Sequence, residues 1–264
     1  MRAYAPGSIT GLFAPAEETD ASYGASFAVE DGVVVSVRSA DRSSVTIDGT
    51  ETSFEPVTGV LSRLDVTATV DIQLEVPLGN GFGASGAATL ATALAANETF
   101  DLGRSRDELV GAAHRAELDA GTGQGDVFIQ ERGGVLWSAG EEIHRREPQL
   151  TIEYASGGGI DTKELLDDDT FLEEARRYGL KQLEGLGETP CVTDIVSRSR
   201  TFVRELDLTT PYVRRELDRV ESAGGTGSMA LFGETVFAVG VEDVLPNRTT
   251  ISNEGARLID GDGR

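Results

Sequence analysis

The sequence predicts an α+β protein of two domains, 1–148 and 149–264, and three observations carry that prediction. Val66–Val76 alternates apolar and polar side chains, the pattern of a strand with one buried face. The alanine-rich stretch Ser85–Ala96 and the segment after Ser105 read as two consecutive helices. Near residue 148, through "GEEIHRREPQ", the pattern changes to a strand, three helical segments and a final glycine-rich hairpin.

The elements follow in order. "FAVEDGVVVSVRSA" carries Glu30-Asp31-Gly32 between two apolar runs, which predicts a hairpin turn there. Asp48-Gly49 in "VTIDGTETSFEP" predicts a second one, so the first sheet is expected to be antiparallel. Pro77 ends the alternating strand, a glycine loop follows, and the first helix begins near Ser85. In the second helix Ser105 and Glu108 form an S-x-x-E capping box, and the helix runs to about Asp119. Gly121, Gly123 and Gly125 force a loop before "GGVLWSA" returns as a strand. Beyond 148, "LTIEYAS" is a strand and helical segments cover about 162–186, 191–206 and 211–222. "AGGTGSMALFGETVFAVG" closes the chain with a hairpin turning at Gly233-Glu234.

Composition narrows the function classes. Against 45 acidic residues stand 23 basic ones, a formal net charge of -22, and the only lysines are Lys163 and Lys181. The acidic residues spread from Glu17 to Asp262 without a dominant block, so they describe a solvated surface of the kind salt-loving organisms use. That charge argues against a nucleic-acid partner. A lone Cys191 excludes an intrachain disulfide and a thiol-rich zinc site. The start lacks a signal-peptide core, and no run is long enough to span a bilayer, so a cytoplasmic protein without a membrane partner is expected.

The most informative stretch is "VPLGNGFGASGAATLATALAAN", where Gly81 to Gly86 fit the G-x-G-x-x-G dinucleotide template. Context defeats that reading. The template requires a parallel strand ending in an acidic residue after the helix, whereas a loop and a second helix follow here. A Walker-type loop needs a lysine, and none precedes Lys163. Small residues at a helix start still let backbone N–H groups point at an anion, with the helix dipole favouring it. The alternative is that the glycines only permit close packing on the sheet.

"PLGNGFGASGAATLATAL" resembles the second motif of the GHMP kinases, usually P-x-x-x-G-L-G-S-S-A-A, with Ala84 and Gly86 departing from it. "YAPGSITGLF" is similar to their first motif, and "AGGTGSMALFG" to a weakened third. The three bracket nearly the whole chain. The resemblance implies an N-terminal domain like ribosomal protein S5 domain 2, a ferredoxin-like C-terminal domain, ATP and Mg2+ as cofactors, and a homodimer in many members. "AHRAELDAGTGQGDVFIQERGGV" is similar to the archaeal pantoate kinase branch, which implies pantoate as the small-molecule substrate and a place in coenzyme A biosynthesis. Sister branches act on homoserine, shikimate or isoprenoid alcohols.

Site residues follow from the resemblance, position by position. The nucleotide phosphates are expected at Pro77, Gly79, Gly81, Gly83, Ala84, Ser85 and Gly86, with Gly227 of the third motif closing over them. Asp126 matches the catalytic base, in agreement with its place after glycines that expose a carboxylate; the alternative is that it only caps the next segment. Ser85 and Glu117 match the Mg2+ ligands, hard oxygens suited to that ion, though a glutamate there could also be a surface residue. His114 lies three residues before Glu117 and shares its helix face, and Arg115 borders that face. Both are candidates for a substrate carboxylate, as is Ser22 for the substrate loop; the alternatives are a structural histidine and a turn serine.

Overall fold

The computed structural model describes residues 1–16, 22–140, 142–159 and 165–259. Lys163 and the first residues of the helix expected from 162 lie outside them, as do Glu17 and Asp262. The first strands are long: β1 (Arg2–Pro15) pairs antiparallel with β2 (Ser22–Ser39) along almost its whole length. The turn expected at Glu30-Asp31-Gly32 does not form. Pro6 pairs with Gly32 and Gly7 with Val29, so the strand accommodates Glu30 and Asp31 as a bulge. A second partner explains why: β5 (Ala68–Leu74) pairs with Val33–Ser39 and keeps that half extended.

The Asp48-Gly49 turn does form, between β3 (Ser44–Ile47) and β4 (Thr50–Thr52), with both turn residues at positive φ. Its strand β3 then pairs with β5 in parallel, through a crossover that includes α1 (Glu55–Arg63). The first sheet is therefore mixed, and the expectation of a purely antiparallel sheet is corrected. Hairpin turns reveal only neighbouring strands; the parallel pair is made by a helical crossover.

The alternating strand buries Ala68, Val70 and Ile72 on one face. Against the sheet lies α2 (Ala84–Thr99), apolar nearly all round, as a helix enclosed by a sheet and other helices must be. α1 and α3 (Arg106–Ala120) cover its outer side. Both halves of the Ser105–Glu108 capping box are present at the start of α3. The short α4 (Asp126–Arg132) leads to β6 (Val135–Ser138), which pairs with β2 and with β7 (His144–Arg146).

After residue 148 comes a second sheet of four strands among the described residues. Its order is β11 (Asn247–Thr250), β8 (Thr151–Gly159), β10 (Gly233–Val239), β9 (Thr226–Met229). Helices α6 (Val192–Glu205) and α7 (Pro211–Ser222) pack on it, and α5 (Asp169–Glu184) packs on β1, β2 and α6, which also reaches β1. The β9–β10 hairpin turns at residues 230–232, with Phe232 at positive φ, a few residues before the predicted point. The last strand, β12 (Arg257–Ile259), returns to the first sheet and pairs with β1. No helix among the described residues is long and apolar enough to cross a membrane.

One buried charge organises the second half. Glu153 on β8 accepts backbone N–H groups of Asp243, Val244 and Leu245 at 2.5–2.9 Å and faces Arg248. Burial alone would raise its carboxyl, but the three N–H groups and Arg248 outweigh burial and hold it below the usual range. Glu153→Ala is expected to destabilise the fold by about 3 kcal/mol at pH 7, since three N–H donors lose an ionised acceptor. The penalty should shrink as pH falls through the lowered carboxyl pKa, where the native glutamate also loses its charge. Urea denaturation at two pH values measures both.

Candidate active site

The glycine loop between β5 and α2 is pinned from two sides. Ser8 N donates to Phe82 O at 2.8 Å from the first sheet. From the second sheet, Thr235 donates to Asn80 O at 2.7 Å, and Asn80 Nδ2 reaches Ser156 at 2.8 Å. The loop ends at Gly83, whose φ of +59 only glycine adopts readily, and no side chain caps the N-terminus of α2. Its first-turn N–H groups are thus left facing the cavity, where an anion would be favoured.

That cavity has a volume of about 680 Å³. Gly79, Gly81, Gly83, Ala84 and Ser85 line one side. Pro77 does not reach it; it is exposed ahead of the loop. Gly86 lies beneath the loop, where a Cβ would come 2.9 Å from Gln130 Oε1 and 3.3 Å from Asp126 Cβ. Gly227 is a correction. It sits inside β9, where a Cβ would meet Val220 and Leu217 of α7, away from the cavity lining. The part of that hairpin that meets the loop is its tip: a Cβ on Gly81 would lie 3.1 Å from Ala230 Cβ, and Leu231 and Phe232 line the cavity.

The structure brings Ser85 and Glu117 together. Ser85 Oγ donates to Glu117 Oε1 at 2.9 Å, joined there by Thr89 Oγ1 at 2.6 Å, while Thr122 Oγ1 donates to Oε2 at 2.8 Å. Glu117 is 3% exposed, and burial pushes its carboxyl up to about 7 despite these three hydroxyls. Asp126 is the first residue of α4 and faces the same space. Its Oδ1 accepts Ser8 Oγ at 2.9 Å and Thr10 Oγ1 at 3.3 Å, and burial raises its carboxyl while both hydroxyls lower it. A Cβ built on Gly123 would lie 3.4 Å from Glu117 Oε2 and 3.6 Å from Asp126 Oδ2, so both carboxylates converge on the Gly123 loop.

Ser22 and His114 also line the cavity. Ser22 Oγ donates to Gln124 O at 3.1 Å, and His114 lies 4.9 Å from the Phe128 ring. Arg115 does not join them. It is exposed, and its guanidinium folds back over Gly111, because the residue after His114 points about 100° further round the helix. The arginine on the cavity wall is Arg132, at the end of α4. Sequence reasoning also missed Ser8, Thr10, Thr89, Thr122 and Gln130.

Residues 54–134 match the GHMP kinases N terminal domain. The chain is 28% identical to the pantoate kinase of Methanospirillum hungatei, covering 99% of this chain and 97% of that protein. It is 26% identical to the pantoate kinase of Methanocaldococcus jannaschii, covering 94% and 96%. Among solved structures, a "Phosphotransferase related to CoA biosynthesis pathway" superposes with a TM-score of 0.84 at 22% identity, covering 99% of both chains. The Methanococcus jannaschii mevalonate kinase shares the fold with a TM-score of 0.71 at 12% identity, covering 98% of both chains. The matched segment contains the glycine loop, α2, α3 and both converging carboxylates, so the site lies within the part of the chain that matches the GHMP kinases N terminal domain.

Proposed function

We propose that the chain transfers the γ-phosphoryl group of ATP to the C4 hydroxyl of pantoate, giving 4-phosphopantoate and ADP. The observation that carries the reading is the convergence of Ser85, Glu117 and Asp126 beside the open N-terminus of α2. Similarity to two pantoate kinases over nearly the full chain supports the choice of acceptor. The helix N-terminus and loop amides hold the phosphates. Asp126 Oδ2 takes the proton as the C4 oxygen forms its bond to the γ-phosphorus, and the bond to the bridging oxygen of ADP breaks.

Ser85 and Glu117 fit a Mg2+ ion in the nature of their donors: hard oxygens, a serine hydroxyl on a buried carboxyl that two threonine hydroxyls also reach. Among the described residues no group of three or more His, Cys, Asp or Glu forms a metal cluster, so the nucleotide would supply much of the coordination. When bound, the ion would neutralise phosphate charge. Mg2+ dependence, a cytoplasmic location and a homodimer belong to the same proposal.

The cavity lining contributed by α4 also suits pantoate. α4 lays Phe128, Ile129 and Arg132 along the cavity, with Asp126 at the other end of the helix. Arg132 offers the carboxylate a cation, while Phe128 and Ile129 face an apolar middle. Arg132→Ala is expected to raise KM for pantoate about 10-fold or more, the loss of a charged hydrogen bond, with a smaller effect on kcat. Arg115→Ala should leave both constants near wild type.

The reaction is tested by ADP release with pantoate, homoserine, shikimate and mevalonate in concentrated KCl. Pantoate giving no signal above the others would overturn the choice of acceptor in favour of a sister kinase. No turnover on any would favour a non-catalytic relative, a reading opposed by the joint retention of Ser85, Glu117 and Asp126.

A further inference from the structure

We propose that Ser8 and Gln130 are positioning residues that aim Asp126 at the acceptor hydroxyl and tie that aim to the phosphate loop. The inference rests on the kinase reading above. Ser8 on β1 is 1% exposed and Gln130 on α4 fully buried, so neither side chain has bulk water as a partner. Gln130 Nε2 donates to Gly83 O at 2.7 Å and to Ser8 Oγ at 3.2 Å, and Ser8 Oγ donates to Asp126 Oδ1 at 2.9 Å.

With Asp126 ionised, the protons between Gly83, Gln130 and Ser8 have one consistent arrangement. Gly83 O is a carbonyl and can only accept, so the amide nitrogen of Gln130 must be the end that faces it. Its remaining hydrogen goes to Ser8 Oγ. The single hydroxyl proton of Ser8 is then free only for Asp126 Oδ1. Thr10 occupies Oδ1 as well, at 3.3 Å. Both hydroxyls therefore hold the same carboxylate oxygen, leaving Oδ2, on the Gly123 side, to take a proton.

Two further observations mark the network as positioned for work rather than for packing alone. Gln130 Oε1 is buried without a hydrogen-bond partner among the described residues, a cost that an apolar side chain of similar size would avoid. The glycine motif is also shaped around it. A Cβ on Gly83 would collide with Ser8 Oγ and come within 2.8 Å of Gln130 Nε2, while one on Gly86 would lie 2.9 Å from Gln130 Oε1. Gly83 O accepts both Ala87 N, in the first turn of α2, and Gln130, so the same carbonyl anchors the phosphate helix and the base.

The test is steady-state kinetics with ATP and pantoate on the full chain, in wild-type and Asp126→Asn backgrounds. Ser8→Ala and Gln130→Met are each expected to lower kcat about 10- to 100-fold, the scale of a misaligned reacting group, with both KM values within about threefold. In the Asp126→Asn background Ser8→Ala should cost no more than about twofold further, because its effect runs through the missing base. Ser8→Cys keeps the volume with a weaker donor and should repeat the pattern if Ser8→Ala does not fold. Wild-type kcat in these variants, or a full additional loss on top of Asp126→Asn, overturns the inference and leaves the kinase reading intact. Near-normal turnover by Asp126→Asn alone overturns the base assignment and this inference with it.

Discussion

Asp126→Asn is expected to lower kcat for pantoate phosphorylation by about 10²- to 10⁴-fold, the usual contribution of a general base, while ATP binds normally. Asparagine has the same size and can still accept Ser8 and Thr10 on its oxygen, so the loop geometry survives. What it lacks is basicity at the second position, on the side of the Gly123 loop. The pH profile gives an independent check. Burial holds the Asp126 carboxyl above its ordinary value, with Ser8 and Thr10 opposing. The base must be ionised, so kcat/KM should rise with pH on an acid limb displaced upward from that of an ordinary aspartate. Turnover within a few-fold of wild type in the variant would remove Asp126 from the base role. Calorimetric titration of ATP would show whether nucleotide binding is retained.

Glu117→Gln is expected to separate activity from stability. Losing the buried carboxylate should lower kcat/KM on the order of 10²-fold, as removal of a charge-stabilising group in an enclosed site does. Stability in the absence of nucleotide and metal should move the other way. The carboxyl pKa rises from 4.5 to about 7 on folding, so the folded state binds this proton more tightly than the unfolded one. Its contribution is then most favourable below pH 4.5, falls as pH rises through the interval to about 7, and is level above. The difference is on the order of 3 kcal/mol, at 1.36 kcal/mol per unit. Glutamine carries no charge and should lack this fall, giving a ligand-free protein at least as stable as wild type at pH 8. Thermal denaturation between pH 5 and 8 decides it. A variant with the wild-type pH dependence would show that Glu117 is not the group responsible.

Local chemistry made part of this site legible. Ser105 and Glu108 announced their helix because a capping box is satisfied within four consecutive residues. Gly83 and Ser85 announced a helix start open to an anion. Thr89 and Gln130 carried a readable signal as well, each standing four residues after a site residue, Ser85 and Asp126, on the same helix. Ser8 and Thr10 gave less warning, because hydroxyls in a strand of small residues read as ordinary strand positions. Arg115 was misplaced by one helical step, and Gly227 by assigning a glycine cluster to phosphate when its strand faces α7.

The chain's own residues determined most of the order of elements and the glycine loop at the head of α2, since each depends on neighbours within a turn or a strand, while Ser85, Glu117 and Asp126 were singled out by the resemblance of their motifs. Only the tertiary structure decided that β3 lies parallel to β5, that Glu30 and Asp31 bulge rather than turn, and that β12 returns to the first sheet. It alone set Ser8 beside Asp126 across 118 residues of sequence and put Arg132, not Arg115, on the cavity wall. Such pairings are chosen by which buried faces and unmet hydrogen bonds find each other when the whole chain packs, and no local window of sequence contains both partners.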